Sequence, residues 1–407
     1  MNDNTDTAGM KQSKYQVLIV GAGITGLTIA RELARRGVKD IVLLEKEDAL
    51  GLHASGRNSG VLHAGMYYTP DSLKAQFCVK GNRLMKEFCR EKGLTLNETG
   101  KVILATSSSE IEPLYELKRR ADSCGARAFL IDRKRLRELE PHAAACDEAL
   151  FSPDTAVIRP IEVLKALEEE LTKSGKVTIY HKTDFKQLLG DNEAHTSRGT
   201  IRFEKFINAA GSYADKIAHK CGLAKEYKIL PFKGTYKKLI HDRTSLVNGN
   251  IYPVPDLRTS FLGVHFTRSG DGEILVGPTA IPAFGRENYG IFGGLGWEVF
   301  SILLRDSILL VKNQVFRQAA ITEPKKYLKY FVLKGAKKLV PELRLQDLTE
   351  TNLVGIRPQL VHWPSKELVM DFVVLRDSDT LHVLNPISPA FTTSMAFAED
   401  IVGDFSG

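Results

Sequence analysis

Near its start the chain runs from Tyr15-Gln16-Val17-Leu18-Ile19-Val20 into Gly21-Ala22-Gly23-Ile24-Thr25-Gly26, then into Leu27 to Arg36 at helical periodicity, with Gly37 as a stop. A second apolar run, Asp40-Ile41-Val42-Leu43-Leu44, follows. Strand, G-x-G-x-x-G turn, helix and strand in this order open a parallel βαβ unit. Strands of such a unit are covered on both faces, so they read as continuous apolar runs. The three glycines have separate jobs: Gly21 permits the tight turn, Gly23 lets a phosphate approach the backbone, and Gly26 lets helix and strand pack closely. Ile24 and Thr25 open the helix, where free N–H groups and the helix dipole favour an anion. Glu45 lies at the end of the second strand, 24 positions after Gly21, with Lys46 next to it. A carboxylate there accepts hydrogen bonds from an adenosine ribose and repels an added 2′-phosphate.

The stretch Ala54-Ser55-Gly56-Arg57-Asn58-Ser59-Gly60 comes next. In an NAD enzyme a helix is expected here. A loop of small residues, hydroxyls, the Asn58 amide and the Arg57 guanidinium instead suits a second set of phosphate contacts. The bound dinucleotide is thus expected to run past its pyrophosphate toward a flavin, which makes FAD the expected cofactor.

With 407 residues, 43% hydrophobic and 26% charged, the composition is that of a soluble globular protein of two or more domains. The five cysteines are odd in number and form no C-x-x-C pair, so neither a disulfide framework nor a metal site is suggested and a reducing compartment fits. Residues 1 to 14 are polar and read as a disordered tail; no run reaches the ~20 apolar residues of a membrane-spanning helix. Helices are expected at Lys74 to Lys92, Ile111 to Cys124 and Ile161 to Lys173. Strands are expected at Val102 to Ala105, Phe206 to Ala210, Ile274 to Val276 and Leu381 to Leu384.

Val17 to Glu45, together with Ser55 to Tyr68, resembles the N-terminus of the D-amino-acid-oxidase and glycerol-3-phosphate-dehydrogenase superfamily of flavoproteins. Within it the closest resemblance is to L-2-hydroxyglutarate oxidases and dehydrogenases. It is carried by Ile251-Tyr252-Pro253-Val254-Pro255-Asp256, Phe261-Leu262-Gly263-Val264-His265-Phe266, Leu275-Val276-Gly277-Pro278 and Asn385-Pro386-Ile387-Ser388-Pro389-Ala390. The resemblance spans Tyr15 to Val402 and implies an α/β fold: a Rossmann-like FAD-binding domain of glutathione-reductase type with an antiparallel-sheet substrate domain. The expected FAD domain is discontinuous (15–90, 150–228 and 350–407), and the substrate domain takes 91–149 and 229–349. It further implies FAD-dependent oxidation of L-2-hydroxyglutarate to 2-oxoglutarate by hydride transfer to flavin N5. Another small acid, an amino acid or glycerol 3-phosphate, is the alternative substrate, and a flavin-binding protein without turnover is the alternative class.

The same resemblance places Ala210 and Gly211, at the end of Phe206-Ile207-Asn208-Ala209-Ala210-Gly211-Ser212, against the cofactor, and Ser388, Pro389, Thr392 and Thr393 against the flavin. Oxidising a 2-hydroxy acid needs a carboxylate clamp and a base for the hydroxyl proton. Arg357, in Gly355-Ile356-Arg357-Pro358, is similar to the superfamily's carboxylate arginine and also lies near the flavin; a guanidinium holds a carboxylate through two parallel hydrogen bonds. His63 and His265 compete for the base. Tyr252 and Tyr67 offer hydroxyl contacts, and Lys233 a second cation at a position where the family is expected to carry arginine.

The net charge of +7 is uneven: Ser301 to Lys338 holds nine Lys or Arg against Asp306 and Glu323. Interleaved with aliphatic and aromatic residues across 300–340, these bases fit either a solvated helical face or an amphipathic segment on an anionic membrane. Beside the small carboxylate substrate, the expected partners are therefore a membrane surface and its quinone, with oxygen as the alternative electron acceptor. A cytoplasmic protein, peripheral on the inner membrane face, is the matching location. No nucleic-acid motif is present.

Overall fold

The computed structural model describes residues 14–190, 192–255, 262–291 and 293–403. The expected N-terminal tail through residue 13, and Asp256 and Phe261 of the mid-chain motifs, lie outside them.

Eight strands make the first sheet. Its spine runs Phe185–Leu188, Glu193–Thr196, Gly199–Asn208, Lys14–Val20, Ile41–Leu44 and Val177–Tyr180; Thr380–Val383 adds to Gly199–Asn208, and Val374–Asp377 adds to that. Lys14–Val20 is parallel to both its neighbours, and Val20 pairs with Leu44 on one side and Asn208 on the other. The strands therefore end together, and the loops that leave them share one edge. Along the first strand Val17 and Ile19 face a core with Leu27, Ile29 and Leu33 of helix Ile24–Arg35, while Leu18 and Val20 face one with Val42, Phe203 and Phe206. This alternation covers both faces. Each such side chain contributes about 1.5–3 kcal/mol on full burial. Helices Leu73–Glu91, Pro160–Lys173 and Ala390–Val402 complete the Ile19 side.

The second sheet has the order Glu367–Leu368, Leu348–His362, Tyr227–Leu239, Ile274–Gly277, His265–Arg268, Asn250–Pro253, Lys101–Leu104, Glu148–Ser152 and Phe129–Asp132. Its ladders are antiparallel except that Asn250–Pro253 runs parallel to Lys101–Leu104. No hairpin joins these two strands, so no turn dictates opposite directions. Tyr227–Leu239 and Leu348–His362 pair from Tyr227↔His362 to Leu239↔Leu348, with one register shift between Thr235 and Lys237. The boundaries expected at 228 and 350 fall inside this ladder, which holds both strands in the second sheet. A third sheet of Val61–Leu62, Ala156–Ile158 and Leu96–Asn97 fixes the chain just before His63.

The basic segment folds as helices Glu298–Lys312, Gln314–Thr322 and Lys329–Ala336. Asn313 ends the first and caps the second, its Oδ1 accepting from the Phe316 N–H at 2.8 Å. Among the described residues no helix is long and apolar enough to cross a membrane.

Candidate active site

A cleft of about 610 Å³ runs from the shared edge of the first sheet to the face of the second. At the first sheet its wall is backbone. Gly21 has φ +103°, and a Cβ there would lie 2.5 Å from the Ala209 carbonyl oxygen; a Cβ at Gly26 would lie 1.9 Å from the Gly21 oxygen. Only glycine fits either position. Gly23 caps helix Ile24–Arg35 without a side chain, no acid sits in the first turn, and the Ile24 N–H donates to Ser55 Oγ at 3.0 Å. That end of the helix is suited to a phosphate. The Glu45 carboxylate accepts from the Ala22 N–H at 3.3 Å and the Glu47 N–H at 3.0 Å, so it is fixed beside the turn. These features fit the adenosine and pyrophosphate of a dinucleotide.

Residues 45–60 hold neither helix nor strand, as the loop expectation requires. Asn58 ties the loop to itself: its Nδ2 donates to Ala54 and Ser55 oxygens, and its Oδ1 accepts from the Gly60 N–H at 2.9 Å. Arg57 donates to the Leu52 oxygen and lies 4.2 Å over the Tyr289 ring. Lys46 Nζ is 2.8 Å from Glu287 Oε1 and 2.8 Å from His53 Nε2, and also pairs with Glu47. Glu47, His53 and Glu287 have the spacing of a metal triad, but the Lys46 ammonium sits among the same donor atoms and serves as their cation.

At the second sheet the wall is side chains. His63, Tyr252, His265 and Arg357 all line the cleft, with Tyr236, Ser388, Pro389 and Thr392. Gly355 meets the phosphate loop so closely that a Cβ would be 2.4 Å from the Arg57 oxygen. Arg357 is two residues on along the same strand, and so projects to the same side. No carboxylate of the described residues pairs with it. His265 Nδ1 donates to the Gly263 oxygen at 3.0 Å, and its ring stacks on Tyr252 with centroids 3.8 Å apart. The His63 N–H donates to Thr392 Oγ1 at 3.1 Å, while His63 Nδ1 is buried without a partner among the described residues. Burial, with lesser repulsion from Lys101 and Arg357, pushes His63 down to about 3. Burial likewise takes His265 down to about 3. Both imidazoles are neutral at pH 7.

Of the sequence candidates, Gly21, Gly23, Ile24, Thr25, Glu45, Lys46, Arg57, Asn58, Ser59, Ala210, Gly211, Arg357, Ser388, Pro389 and Thr392 line this cleft. Gly26, Gly60 and Thr393 stand behind its wall. Gly26 packs on Gly21, Gly60 (φ +73°) lies against the Ile158 oxygen, and the Thr393 hydroxyl donates back to Pro389 in its own helix. Tyr67 lies beside the cleft with its hydroxyl buried and unpartnered among the described residues. Lys233 points away, its Nζ donating to the Gly290 oxygen at 2.6 Å. Sequence pattern does not mark Tyr236, which lines the cleft, or Lys101, which is buried against Tyr67 and Tyr252 and opens an apolar strand.

The family described as FAD dependent oxidoreductase matches residues 16–403. L-2-hydroxyglutarate dehydrogenase of Escherichia coli (strain K12) is 35% identical over 402 residues, covering 95% of this chain and 92% of its own length. The mitochondrial L-2-hydroxyglutarate dehydrogenases of Caenorhabditis elegans and Homo sapiens are 36% and 33% identical, covering 96% and 95% of this chain and 93% and 87% of theirs. L-alpha-glycerophosphate oxidase from Mycoplasma pneumoniae, solved with FAD bound, superposes with a TM-score of 0.77 at 22% identity over 97% of this chain and 95% of that one. The match spans nearly the whole chain, and the chain belongs to the FAD dependent oxidoreductase family, with FAD as its cofactor.

Proposed function

We propose that the protein oxidises L-2-hydroxyglutarate to 2-oxoglutarate. The observation that carries this reading is Arg357: a guanidinium with no acidic partner among the described residues, facing the cleft beside two neutral imidazoles where the cofactor cradle ends. Similarity to several L-2-hydroxyglutarate dehydrogenases over nearly the whole chain supports the substrate.

In this reading Arg357 holds the carboxylate next to the hydroxyl carbon through paired hydrogen bonds. His265 takes the hydroxyl proton. A carbonyl oxygen only accepts, so the bond to Gly263 fixes the proton on Nδ1 and leaves Nε2 as the acceptor, while Tyr252 holds the ring plane. The substrate's own negative charge raises the basicity of that imidazole. FAD, when bound, accepts the hydrogen of the same carbon together with its two electrons. His63, anchored through Thr392 to helix Ala390–Val402, shapes the cofactor side of the pocket.

The test is anaerobic mixing of the yellow holoprotein with L-2-hydroxyglutarate, other 2-hydroxy acids, amino acids and glycerol 3-phosphate. The expected result is bleaching of the flavin band by L-2-hydroxyglutarate at concentrations where the others leave it unchanged. Bleaching by an amino acid or glycerol 3-phosphate in its place overturns the substrate, and no bleaching by any of them overturns turnover.

The electrons are passed to quinone at a membrane surface. Supporting this, Trp297 is 90% exposed, Val311 70%, Phe300 66% and Leu304 65%, on one helix and its entry, with Leu328, Tyr330 and Lys325 exposed nearby in sequence. Exposed aromatic and aliphatic side chains bordered by lysine suit an anionic bilayer surface. Flotation with anionic liposomes is expected, lost in Trp297→Ser/Phe300→Ser; no flotation of the wild-type protein contradicts it.

A further inference from the structure

Lys101 opens strand Lys101–Leu104 in the second sheet and is 1% exposed. Its Nζ lies 4.2 Å from the ring centre of Tyr67 and 4.9 Å from that of Tyr252, and has no hydrogen-bond partner among the described residues. Aromatic faces attract an ammonium, but they do not replace the hydrogen bonds it had in water. The groups around it offer no compensating charge. Cys78 faces it from helix Leu73–Glu91, Tyr67 from the chain after His63, and Tyr252 from the adjoining strand. Burial drives all three upward, so each stays neutral. Lys101 also acts electrostatically on His63 and His265, both neutral at pH 7, and Arg357, which acts on the same two histidines, is a like charge. The amine accordingly falls to about 7 on burial. Lys233 and Lys237, the other buried lysines of this sheet, contrast with it by having partners, the Gly290 oxygen and the Glu350 carboxylate.

A leucine or methionine would fill the space at Lys101 without that desolvation. What the amine adds is a charge that is present or absent according to what enters the cleft, since Tyr252 touches both the cleft and the amine. We propose that Lys101 is a second, proton-gated cation of the substrate site, which takes up a proton when a dicarboxylate enters and matches the negative charge that Arg357 alone leaves over. This rests on the dicarboxylate reading above. For an amine and a carboxylate about 8 Å apart at an effective dielectric near 20, Coulomb attraction favours the protonated amine by about 1.5 pH units. The proton comes from solvent and returns to it when the product leaves. Lys101 acts through the field and through Tyr252, as a positioning residue and not as a ligand.

The test is calorimetric titration of the holoprotein with glutarate, an unreactive five-carbon dicarboxylate, at pH 8 in buffers of different ionisation enthalpy. About 0.7 proton taken up per glutarate is expected, with much less for butyrate, and glutarate affinity falling about tenfold between pH 7 and 9. Lys101→Met is expected to bind weakly, with neither proton uptake nor pH dependence; Lys101→Arg, always charged, to bind well at both pH values without uptake. Flavin absorbance of each variant reports folding, and the wild-type uptake stands without either. Tight glutarate binding with no proton uptake overturns the role of Lys101 and leaves the substrate reading intact, as does uptake that persists in Lys101→Met. No glutarate binding at all overturns both.

Discussion

At the cradle end, the cleft wall is mostly backbone of the first βαβ unit, the turn from Gly21 to Gly26 with Glu45 and the loop to Gly60 following it in sequence, closed by Ala209 to Gly211. At the far end it is side chains brought together on a loop and three strands, from positions 63, 252, 265 and 357 of the chain: His63, Tyr252, His265 and Arg357. The first is a shape that admits almost no substitution, because main-chain atoms occupy the space a Cβ would need. The second is a balance of charge and desolvation, in which a changed side chain alters the chemistry while the walls remain. A shared cofactor and a divergent substrate follow naturally from that division.

The sharpest way to break the comparison is at Gly26. Gly26→Val forces a side chain into the Gly21 oxygen and is expected to cost about 3 kcal/mol or more, yielding protein that melts early and lacks stoichiometric flavin. A stable, fully yellow variant would show that the turn yields after all. Arg357→Met, at the other end, is expected to keep its flavin yet lose a few hundredfold in kcat/KM for L-2-hydroxyglutarate, about 3–4 kcal/mol.

Next comes His265→Asn, expected to lower kcat by about a hundredfold, against a smaller loss for His63→Asn. Both histidines also bear on stability. With ordinary values of 6.5 and folded values of about 3, the unfolded chain binds protons between these limits that the folded chain refuses. Stability therefore declines as pH falls from about 7 toward 3, and either Asn variant should flatten that decline in thermal melts. The smallest effect is at Thr392→Val, which leaves the His63 N–H without its acceptor: about 1 kcal/mol, or a drop of about 2 °C in Tm.

The same division decided what the sequence made legible. Gly21, Gly23 and Glu45 were readable because their work is done within a single βαβ unit, where spacing alone implies geometry. Helix Ile111–Cys124 was readable because its buried stripe, Leu114, Leu117 and Ala121, follows the helical period. The ladder between Tyr227–Leu239 and Leu348–His362 was not, since its register joins residues more than a hundred positions apart and places 348–362 in the second sheet. Nor was Lys101, whose character arises from Tyr67 and Tyr252 packed over it and from nothing in its own neighbourhood of sequence. Thr393 followed the same helix as Thr392 but turns to its own backbone, a difference of one position that periodicity does not resolve.

The central claim is that the far end of the cleft, through Arg357, commits an FAD-bearing fold to a 2-hydroxy dicarboxylate. Rapid anaerobic mixing of the wild-type and Arg357→Met holoproteins with L-2-hydroxyglutarate, following the flavin band, tests it most directly. The account predicts complete bleaching of the wild-type protein and a reduction rate at subsaturating substrate about a hundredfold or more lower in a variant that retains its flavin. Equal rates in the two proteins would contradict it.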